Sequence, residues 1–274
     1  MLHFLYETVP GRSILKFLTM PWISRVSGAV LDHPVSRVLI PRFIKQNQID
    51  MREFIPTDYK SFNEFFCRRI RPERRPIDRE GSSLIAPCDG LLSIYRIKEG
   101  LVVPVKQSRY SVADLLGDEE LARRYEGGTC LVFRLCVNHY HRYAYVDDGR
   151  KTENVHIAGR LHTVRPIALR QVPVFTENAR EYTLIHTDHF GDVVQMEVGA
   201  MLVGRICNHM GAGIVRRGGE KGYFQYGGST VILLLQKEKA RFSKKLYQAT
   251  ADEIEIPVKM GQRISVASQQ VRGQ

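Results

Sequence analysis

The sequence predicts an α+β protein, with helices in its first part and a mostly antiparallel β-sheet in the rest. Apolar residues recur at three- and four-residue spacing up to about residue 50, and short apolar runs broken by Gly, Pro and Asp begin near residue 82. Little helical pattern separates those runs, which argues against alternating strands and helices. With 274 residues, of which 43% are hydrophobic and 25% charged, the chain is long enough to bury a core. We expect a helical region with an Arg-rich hinge at 1–80 and a β-rich region at 81–274.

The first helical region is amphipathic and basic. Six basic residues stand against two acidic ones in residues 1–45. Such a segment either lies in a membrane interface or packs its apolar faces on the protein's own core, and composition does not separate the two. No uninterrupted apolar stretch approaches the ~20 residues of a spanning helix, and the first residues lack a basic stretch ahead of an apolar one. We therefore expect a chain that is neither exported nor membrane-spanning.

The segment 61–79 carries six arginines between Arg68 and Arg79, beside Phe65 and Phe66. Prolines within it are typical of a hinge between two parts of a chain. Arginines next to aromatic rings could serve RNA, phosphate or anionic head groups, but a solvated connecting face is commoner. We do not predict nucleic-acid binding from this segment.

Charge and cysteine content narrow the function classes. Forty Lys and Arg against 29 Asp and Glu give a net charge of +11, which indicates an anionic partner: nucleic acid, acidic lipid or an anionic substrate. The five cysteines are odd in number and form no C-x-x-C pair, so the sequence favours a reducing compartment over a disulfide framework or a zinc ribbon. No phosphate-binding Gly loop or dinucleotide fingerprint is present, which disfavours nucleotide-dependent enzymes.

A serine that follows two glycines is the first candidate nucleophile. Gly227 and Gly228 precede Ser229, and an apolar strand follows directly. Glycine permits strained backbone geometry and close approach, which attack by Ser229 on its own preceding carbonyl or on a bound acyl group would require. The alternative is an ordinary glycine turn that leads into a strand.

An aspartate and two histidines are available to activate that serine. Asp89 lies between apolar residues and Gly90, while His139 and His141 flank a tyrosine with strand-like alternation. An aspartate that orients an imidazole, which in turn deprotonates a serine, is a common way to activate this weak nucleophile. Alternatively, Asp89 is a turn residue and the histidines are satisfied residues of a sheet.

A metal site is the second chemistry that these residues allow. Alternation would place His139 and His141 on one strand face, and His186 and His189 are further candidate ligands. The His-x-His pair has no third ligand at a telling spacing, so we predict no metal and keep a metal-dependent enzyme as the alternative.

Seven segments, taken together and in order, resemble the phosphatidylserine decarboxylases, which are pyruvoyl enzymes of phospholipid synthesis, and in particular the group whose cleavage site reads GGST. The resemblance covers nearly the whole chain, and the matching segments are SFNEFFCRRIRPERRPID, APCDG, NHYHRY, GRLHTVRPIA, VGAMLVGRI, KGYFQYGGSTVILL and IPVKMGQRI.

The resemblance implies an enzyme that makes its own cofactor. The precursor would be cut between Gly228 and Ser229 into a β chain, 1–228, and an α chain, 229–274, and Ser229 would become the covalent pyruvoyl group. That group would form a Schiff base with phosphatidylserine and accept the electrons freed as CO2 leaves, so that phosphatidylethanolamine is the product. The two chains would stay together as a heterodimer, and a homodimer of these units is a further expectation.

The resemblance also implies roles for the polar residues, with one departure from the family pattern. Asp89 would orient a histidine, and a histidine would deprotonate Ser229. Many members show Y-H-x-x-H, in which the first histidine is assigned to decarboxylation and the second to self-cleavage, whereas this chain has His141 and then Ala144. Either His141 does both jobs, or another imidazole supplies the base for cleavage, for which His162 is our candidate.

A lipid substrate gives the basic amphipathic helices a role at an anionic membrane surface. We predict that they hold the protein peripherally on the cytoplasmic face of the cell membrane, with Arg and Lys contributing roughly 1 kcal/mol each near anionic lipid. A non-catalytic relative that only binds anionic lipid is the remaining alternative. The residues expected to contact the membrane are Leu15, Phe17, Leu18 and Trp22.

Overall fold

The computed structural model describes residues 2–98, 102–105, 108–169, 171–200, 205–226 and 229–268. It confirms the α+β class, with helices first and mostly antiparallel sheets after them. The α-helices are α1 (Leu2–Glu7), α2 (Val9–Leu18), α3 (Pro21–Asp32), α4 (Ile40–Asn47), α5 (Phe62–Phe66), α6 (Val112–Leu116), α7 (Glu119–Arg123), α8 (Pro166–Leu169), α9 (Val174–Glu177) and α10 (Lys244–Ala251). Three 3₁₀ turns, Pro34–Leu39, Met51–Glu53 and Pro72–Arg74, connect the early helices.

Local sequence explains where the first helices begin and end. The Thr8 hydroxyl accepts a hydrogen bond from the Gly11 N–H at the start of α2, and a proline in the first turn of α2 and of α3 needs no backbone donor there. The helix α4 ends at Asn47, and the C-cap residue Gln48 adopts a left-handed conformation with φ of 51°. These signals agree with the helices that the apolar spacing predicts.

The β-strands form one large sheet and three small ones. Eight strands of the large sheet follow the order β12-β7-β9-β10-β14-β5-β2-β16, and β8 adds to β9. The small sheets are β1-β17-β15, β11-β13-β6 and β3-β4, and every paired strand in the residues described is antiparallel. The strands are β1 (Ser83–Ile85), β2 (Gly90–Arg96), β3 (Val102–Val105), β4 (Ser108–Ser111), β5 (Thr129–Leu135), β6 (Arg142–Ala144), β7 (Gly149–Lys151), β8 (Val155–Ile157), β9 (Arg180–Thr187), β10 (Gly191–Val198), β11 (Ile206–Asn208), β12 (Gly213–Val215), β13 (Glu220–Phe224), β14 (Ser229–Leu235), β15 (Ala240–Arg241), β16 (Ile256–Val258) and β17 (Arg263–Ala267).

The centre of the large sheet is buried on both faces, and β14 runs through it with all seven residues buried. Ile232 and Leu234 of β14 point into a first core, which includes Tyr6, Leu15 and Val198. Val231, Leu233 and Leu235 point into a second core, which also contains Phe133, Tyr143 and Phe224. Because side chains alternate along a strand, Ser229 belongs to the second-core face and Thr230 to the first.

The N-terminal helices contact the β-region at two places. Leu5, Tyr6 and Leu15 pack in the first core. Farther along, rings of Phe62, Phe65 and Phe66 on α5 form a third, aromatic cluster with Tyr140 of the β-region. The prediction that Leu15 contacts a membrane is therefore wrong: it is 4% exposed because it faces the protein's own core.

Two arginines of segment 61–79 are buried and do not belong to a solvated connecting face. The Arg68 guanidinium lies over the rings of Phe54 and Phe65, at 4.3 and 4.9 Å from their centroids. Arg75 pairs with a carboxylate of the β-region, described below. Composition predicts neither contact, because each pairs an arginine with a residue that only the folded chain brings next to it.

Exposed apolar side chains concentrate at the N-terminal end. Among the residues that the structure describes, sixteen large apolar side chains are exposed, and twelve of them lie between residues 4 and 55. No single described helix is long and apolar enough to cross a membrane. The helices Val9–Leu18 and Trp22–Asp32 are long and apolar enough when taken together, but they are bent by 62° relative to each other. The twelve are Phe4, Val9, Ile14, Phe17, Met20, Trp22, Val26, Val30, Val35, Val38, Leu39 and Ile55.

Candidate active site

Four strand ends meet at one edge of the large sheet. Ser229 begins β14 and pairs with Leu135, the last residue of β5, while Thr230 pairs with Val198, the last residue of β10. Asp89 directly precedes β2, whose Leu91 pairs with the penultimate residue of β5. The register therefore brings Asp89 and Ser229, 140 positions apart in the numbering, to the same edge.

The Ser229 hydroxyl is buried at this edge of the sheet. Its exposure is 0%, and its Oγ has no hydrogen-bond partner among the described residues. A buried hydroxyl without a partner is costly, which makes this atom a candidate for a role in chemistry. Gly227 and Gly228, the predicted cleavage-site residues before it, lie outside the described residues.

His141 is a buried imidazole in the loop that follows β5. Its Nδ1 lies 2.9 Å from the His139 carbonyl oxygen, to which it donates, so that Nε2 keeps its lone pair. Nε2 is buried and has no hydrogen-bond partner within the described ranges. Burial, together with the charge of Arg68, lowers the pKa of His141 well below its ordinary value of 6.5. His141 is thus a neutral imidazole that can accept a proton.

The strand-like alternation predicted for His139 and His141 is wrong. Both lie in the turn between β5 and β6, where the His139 ring Nδ1 accepts a hydrogen bond from the Cys136 N–H at 3.1 Å. That local hydrogen bond favours a turn over continued sheet pairing. The two imidazoles therefore do not share a strand face, which removes the geometric reason for the metal alternative.

The turn that carries His141 is bonded to the segment that leads into Ser229. The Phe224 N–H donates to the His141 carbonyl at 2.9 Å, five residues before Ser229. The Phe66 ring contacts His141, with centroids 4.2 Å apart, and also contacts Tyr226, with centroids 5.1 Å apart. One aromatic wall thus supports both His141 and the chain just before the predicted cleavage site.

Asp89 is held by an arginine and makes no histidine hydrogen bond among the described residues. Arg75 donates Nε and Nη2 to the two Asp89 oxygens at 2.7 and 2.5 Å, and the Met260 N–H adds a bond of 2.9 Å. The direct Asp89–histidine contact expected from the Asp–His–Ser pattern is therefore not seen. The Asp89 charge acts instead on His139, whose pKa is lowered by burial and raised in part by this carboxylate.

His162 lies on the opposite side of the sheet from the Ser229 hydroxyl. Its Nδ1 is 3.4 Å from the hydroxyl of Tyr6, a first-core residue, and its Nε2 is 3.4 Å from Glu177. It lines a cleft of about 490 Å³ beside α2. Burial lowers the pKa of His162, and the Glu177 charge opposes that shift in part. The structure does not bring the His162 and Ser229 side chains to one face.

Replacing His162 with Ala is expected to leave self-cleavage intact, because the sheet separates this imidazole from the Ser229 hydroxyl. A denaturing gel of the purified variant would show two chains, as for the wild type. An uncleaved chain, with a melting temperature near that of the wild type, would instead identify His162 as the cleavage base.

His186 and His189, the other two candidate metal ligands, each pair with a carboxylate. His186 lies 2.6 Å from Asp192, and His189 contacts Asp147 at 3.1 Å. Across the part of the chain that the structure describes, no group of three or more His, Cys, Asp and Glu side chains could hold a metal ion.

A buried pair of charges was missed by sequence reasoning. Lys221 Nζ donates to Glu197 Oε2 at 2.5 Å, and both side chains are 0% exposed. Arg75, the partner of Asp89, was also missed. No sequence motif marks either pair. Glu197 lies in β10 and Lys221 in β13, and these strands come together only because the small sheet stacks on the large one.

A buried serine hydroxyl and a buried neutral imidazole near one end of an antiparallel sheet are groups typical of enzymes that use a serine nucleophile. A family model described as phosphatidylserine decarboxylase matches residues 62–266. A similar protein of Clostridium acetobutylicum, phosphatidylserine decarboxylase proenzyme 2, is 42% identical over 264 residues, which is 96% of this chain and 90% of that protein. The chain belongs to the phosphatidylserine decarboxylase family.

Two further relatives agree with this assignment. The phosphatidylserine decarboxylase proenzyme of Clostridium novyi is 40% identical over 269 residues, which is 96% of this chain and 91% of that protein. The one of Ruminiclostridium cellulolyticum is 38% identical over 270 residues, with 96% and 90% covered. The predicted family resemblance is confirmed.

Proposed function

We propose that this chain is a proenzyme that cleaves itself between Gly228 and Ser229 and then converts phosphatidylserine to phosphatidylethanolamine and CO2. Membership of the phosphatidylserine decarboxylase family carries the proposal, since relatives that align over nearly all of the chain bear the name proenzyme. The buried Ser229 hydroxyl, which has no hydrogen-bond partner in the described part of the chain, supports the position of cleavage.

The surroundings of Ser229 fit a covalent pyruvoyl group. Residue 229 is fully buried between β5 and β10, so water is excluded from it, and its one polar side-chain atom has no partner in the described residues. When formed, the group supplies an electrophilic ketone that withdraws the electrons left by the departing carboxylate. Removal of the Ser229 hydroxyl in forming the group also removes the unpaired polar atom.

His141 and Asp89 have distinct roles in this proposal. The neutral His141 Nε2 moves a proton to or from the reacting atoms in decarboxylation, and its Nδ1–H bond to the His139 carbonyl fixes which nitrogen is free. Asp89 positions the site, because its pair with Arg75 and its bond to Met260 join segment 61–79, the start of β2 and the turn before β17. Of His141 and His162, the two imidazoles considered for the cleavage base, the fold argues against His162, which lies on the other face of the sheet.

The two processed chains are expected to remain associated. The α chain would begin with β14, which pairs with β10 on one side and β5 on the other, and both neighbours belong to the β chain. All seven β14 residues are buried, so separation would expose a strand from the centre of the sheet. A homodimer of this heterodimer stays a prediction.

Intact-protein mass spectrometry with a carbonyl-directed reagent tests the proposal. The expected result is two fragments that divide after Gly228, the smaller one labelled, from a sample that releases CO2 from phosphatidylserine vesicles. A single unlabelled chain of 31.4 kDa without CO2 release would contradict it.

We also propose that the N-terminal helices dock the enzyme on anionic lipid at the cytoplasmic face of the cell membrane. The concentration of exposed apolar side chains there supports this, and exposed Arg12 and Lys16 lie on the same helix, α2, as exposed Phe17. The rings of Phe17 and Trp22 are 5.4 Å apart and would enter the interface together.

Replacing Phe17 and Trp22 together with Ser is expected to reduce flotation with anionic vesicles, because it removes apolar area from the docking surface. Added salt should weaken the wild-type binding as well. The matched control replaces Ile214 and Ile254, which are 65% and 58% exposed outside that surface, with Ser and should float normally. Equal flotation of the two double variants would show that these helices are not the anchor.

A further inference from the structure

The buried pair of Glu197 and Lys221 lies on the same face of the sheet as the Ser229 hydroxyl. Glu197 pairs with Val231, which points into the second core, and Ser229 shares that side because it lies two residues earlier in β14. Such diagonal neighbours on an antiparallel pair are about 7–8 Å apart, within reach of a long side chain. Continued register places Gly199, which has no side chain, opposite Ser229 and leaves room for Glu197 to approach.

The two oxygens of Glu197 have different surroundings. Oε2 accepts from Lys221 Nζ at 2.5 Å and from Asn208 Nδ2 at 3.3 Å. Oε1 is buried and has no hydrogen-bond partner within the residues described, as is also true of Ser229 Oγ. An acceptor and a donor that find no partner in the described ranges thus lie on one face of adjacent strands. Each would be costly to bury if it had no use.

We propose that Glu197 accepts the Ser229 hydroxyl proton in self-cleavage, and that Lys221 holds Glu197 in position for it. The inference rests on the self-cleavage proposed above and names a carboxylate where sequence reasoning considered only imidazoles. His141 is then left for decarboxylation. The strand β6 contributes Tyr143 beside this pair, with its ring centroid 5.7 Å from Lys221 Nζ.

The proton and bonds balance without any further reactant. Ser229 Oγ bonds to the Gly228 carbonyl carbon while its proton passes to Glu197, and the Gly228–Ser229 C–N bond then breaks. Glu197 returns the proton to the departing Ser229 nitrogen, which leaves an ester between the two segments. Loss of the Ser229 Cα proton then expels Gly228 as a carboxylate, which separates the two chains and leaves dehydroalanine at position 229. The Lys221 ammonium offsets negative charge that develops at the reacting centre.

The charged surroundings predict how the base responds to pH. Burial raises the pKa of Glu197, while the charge and hydrogen bond of Lys221 lower it. Removal of the Lys221 ammonium should therefore raise this pKa further, so that Glu197 becomes a base only at higher pH. The other titratable groups that interact electrostatically with Glu197 are Glu181, Tyr143, Tyr145, Cys88 and Lys151.

The test follows cleavage of freshly translated full-length chains on denaturing gels over a series of pH values. We expect Lys221→Met to move the rate–pH curve to higher pH and to lower its plateau, because the variant loses both the hydrogen bond that positions Glu197 and the nearby positive charge. Glu197→Gln combined with Lys221→Met removes the base and both charges, and should slow cleavage by about 100-fold or more at every pH. Removing both partners also avoids leaving one buried charge unpaired.

A second buried ion pair provides the matched control. The side chains of Asp147 and Arg217 are 0% and 6% exposed and contact each other. Asp147 also contacts His189, which lies in the turn before β10, at the opposite end of that strand from Ser229. Asp147→Asn combined with Arg217→Gln should keep the wild-type rate and curve. Normal cleavage by the Glu197/Lys221 double variant, or an unshifted curve for Lys221→Met, would overturn the proposal. An uncleaved wild-type chain would instead refute self-cleavage itself.

Discussion

Replacing Ser229 with Ala is expected to abolish both self-cleavage and decarboxylation. The variant keeps the buried strand β14 and loses only a hydroxyl that has no partner in the described residues, so the fold should be unharmed. Without Oγ there is no nucleophile for the preceding carbonyl and no source for the pyruvoyl group. Mass spectrometry should show one chain without carbonyl label, and CO2 release should fall to background.

Ser83 offers a control that matches Ser229 in burial. Its hydroxyl is also 0% exposed and lacks a hydrogen-bond partner among the residues described, but it lies in β1, which pairs with β17. Ser83→Ala should cleave and decarboxylate like the wild type. Two labelled fragments from Ser229→Ala would place the reacting residue elsewhere, and an uncleaved Ser83→Ala would show that cleavage is sensitive to any buried serine.

Patterns local in sequence predicted the elements that carry the site. The apolar run after Ser229 predicted β14, and the three- and four-residue spacing predicted the early helices, because each pattern reports burial of one segment. The short helix α10 was missed, since its eight residues carry only one buried side chain, Leu246. Helices this short depend on their caps and on contacts with the rest of the fold.

Contacts between distant segments were the part that sequence reasoning could not supply. Asp89 was expected to orient a histidine, yet it is held by Arg75, which the sequence placed in a hinge. His162 was grouped with Ser229, although the alternation of β14 points the Ser229 hydroxyl into the other core. The sequence shows that successive side chains of β14 point to opposite faces of the sheet. Which core covers each face depends on how the small sheet and the helices pack, and this is not visible in the sequence.

Replacing His141 with Asn is expected to reduce CO2 release per cleaved chain by about 100-fold or more, the usual scale for loss of a general acid–base group. The Asn amide can still donate to the His139 carbonyl, as Nδ1 does now, so the turn should be retained. Only the free Nε2 is lost. The control is His139→Asn, whose side-chain oxygen can still accept from the Cys136 N–H and whose activity should stay near that of the wild type.

The pH dependence distinguishes a proton-transfer role for His141 from a purely structural one. Protonation of Nε2 would remove the acceptor, and burial lowers the pKa of this imidazole well below 6.5. Decarboxylation should therefore persist to lower pH than an ordinary histidine would allow, and fall only as pH drops through the lowered pKa. The residual activity of His141→Asn should lack that fall. An unchanged acid limb in the variant would assign the limb to another group, and equal losses in the His139 and His141 variants would indicate that the turn as a whole is required.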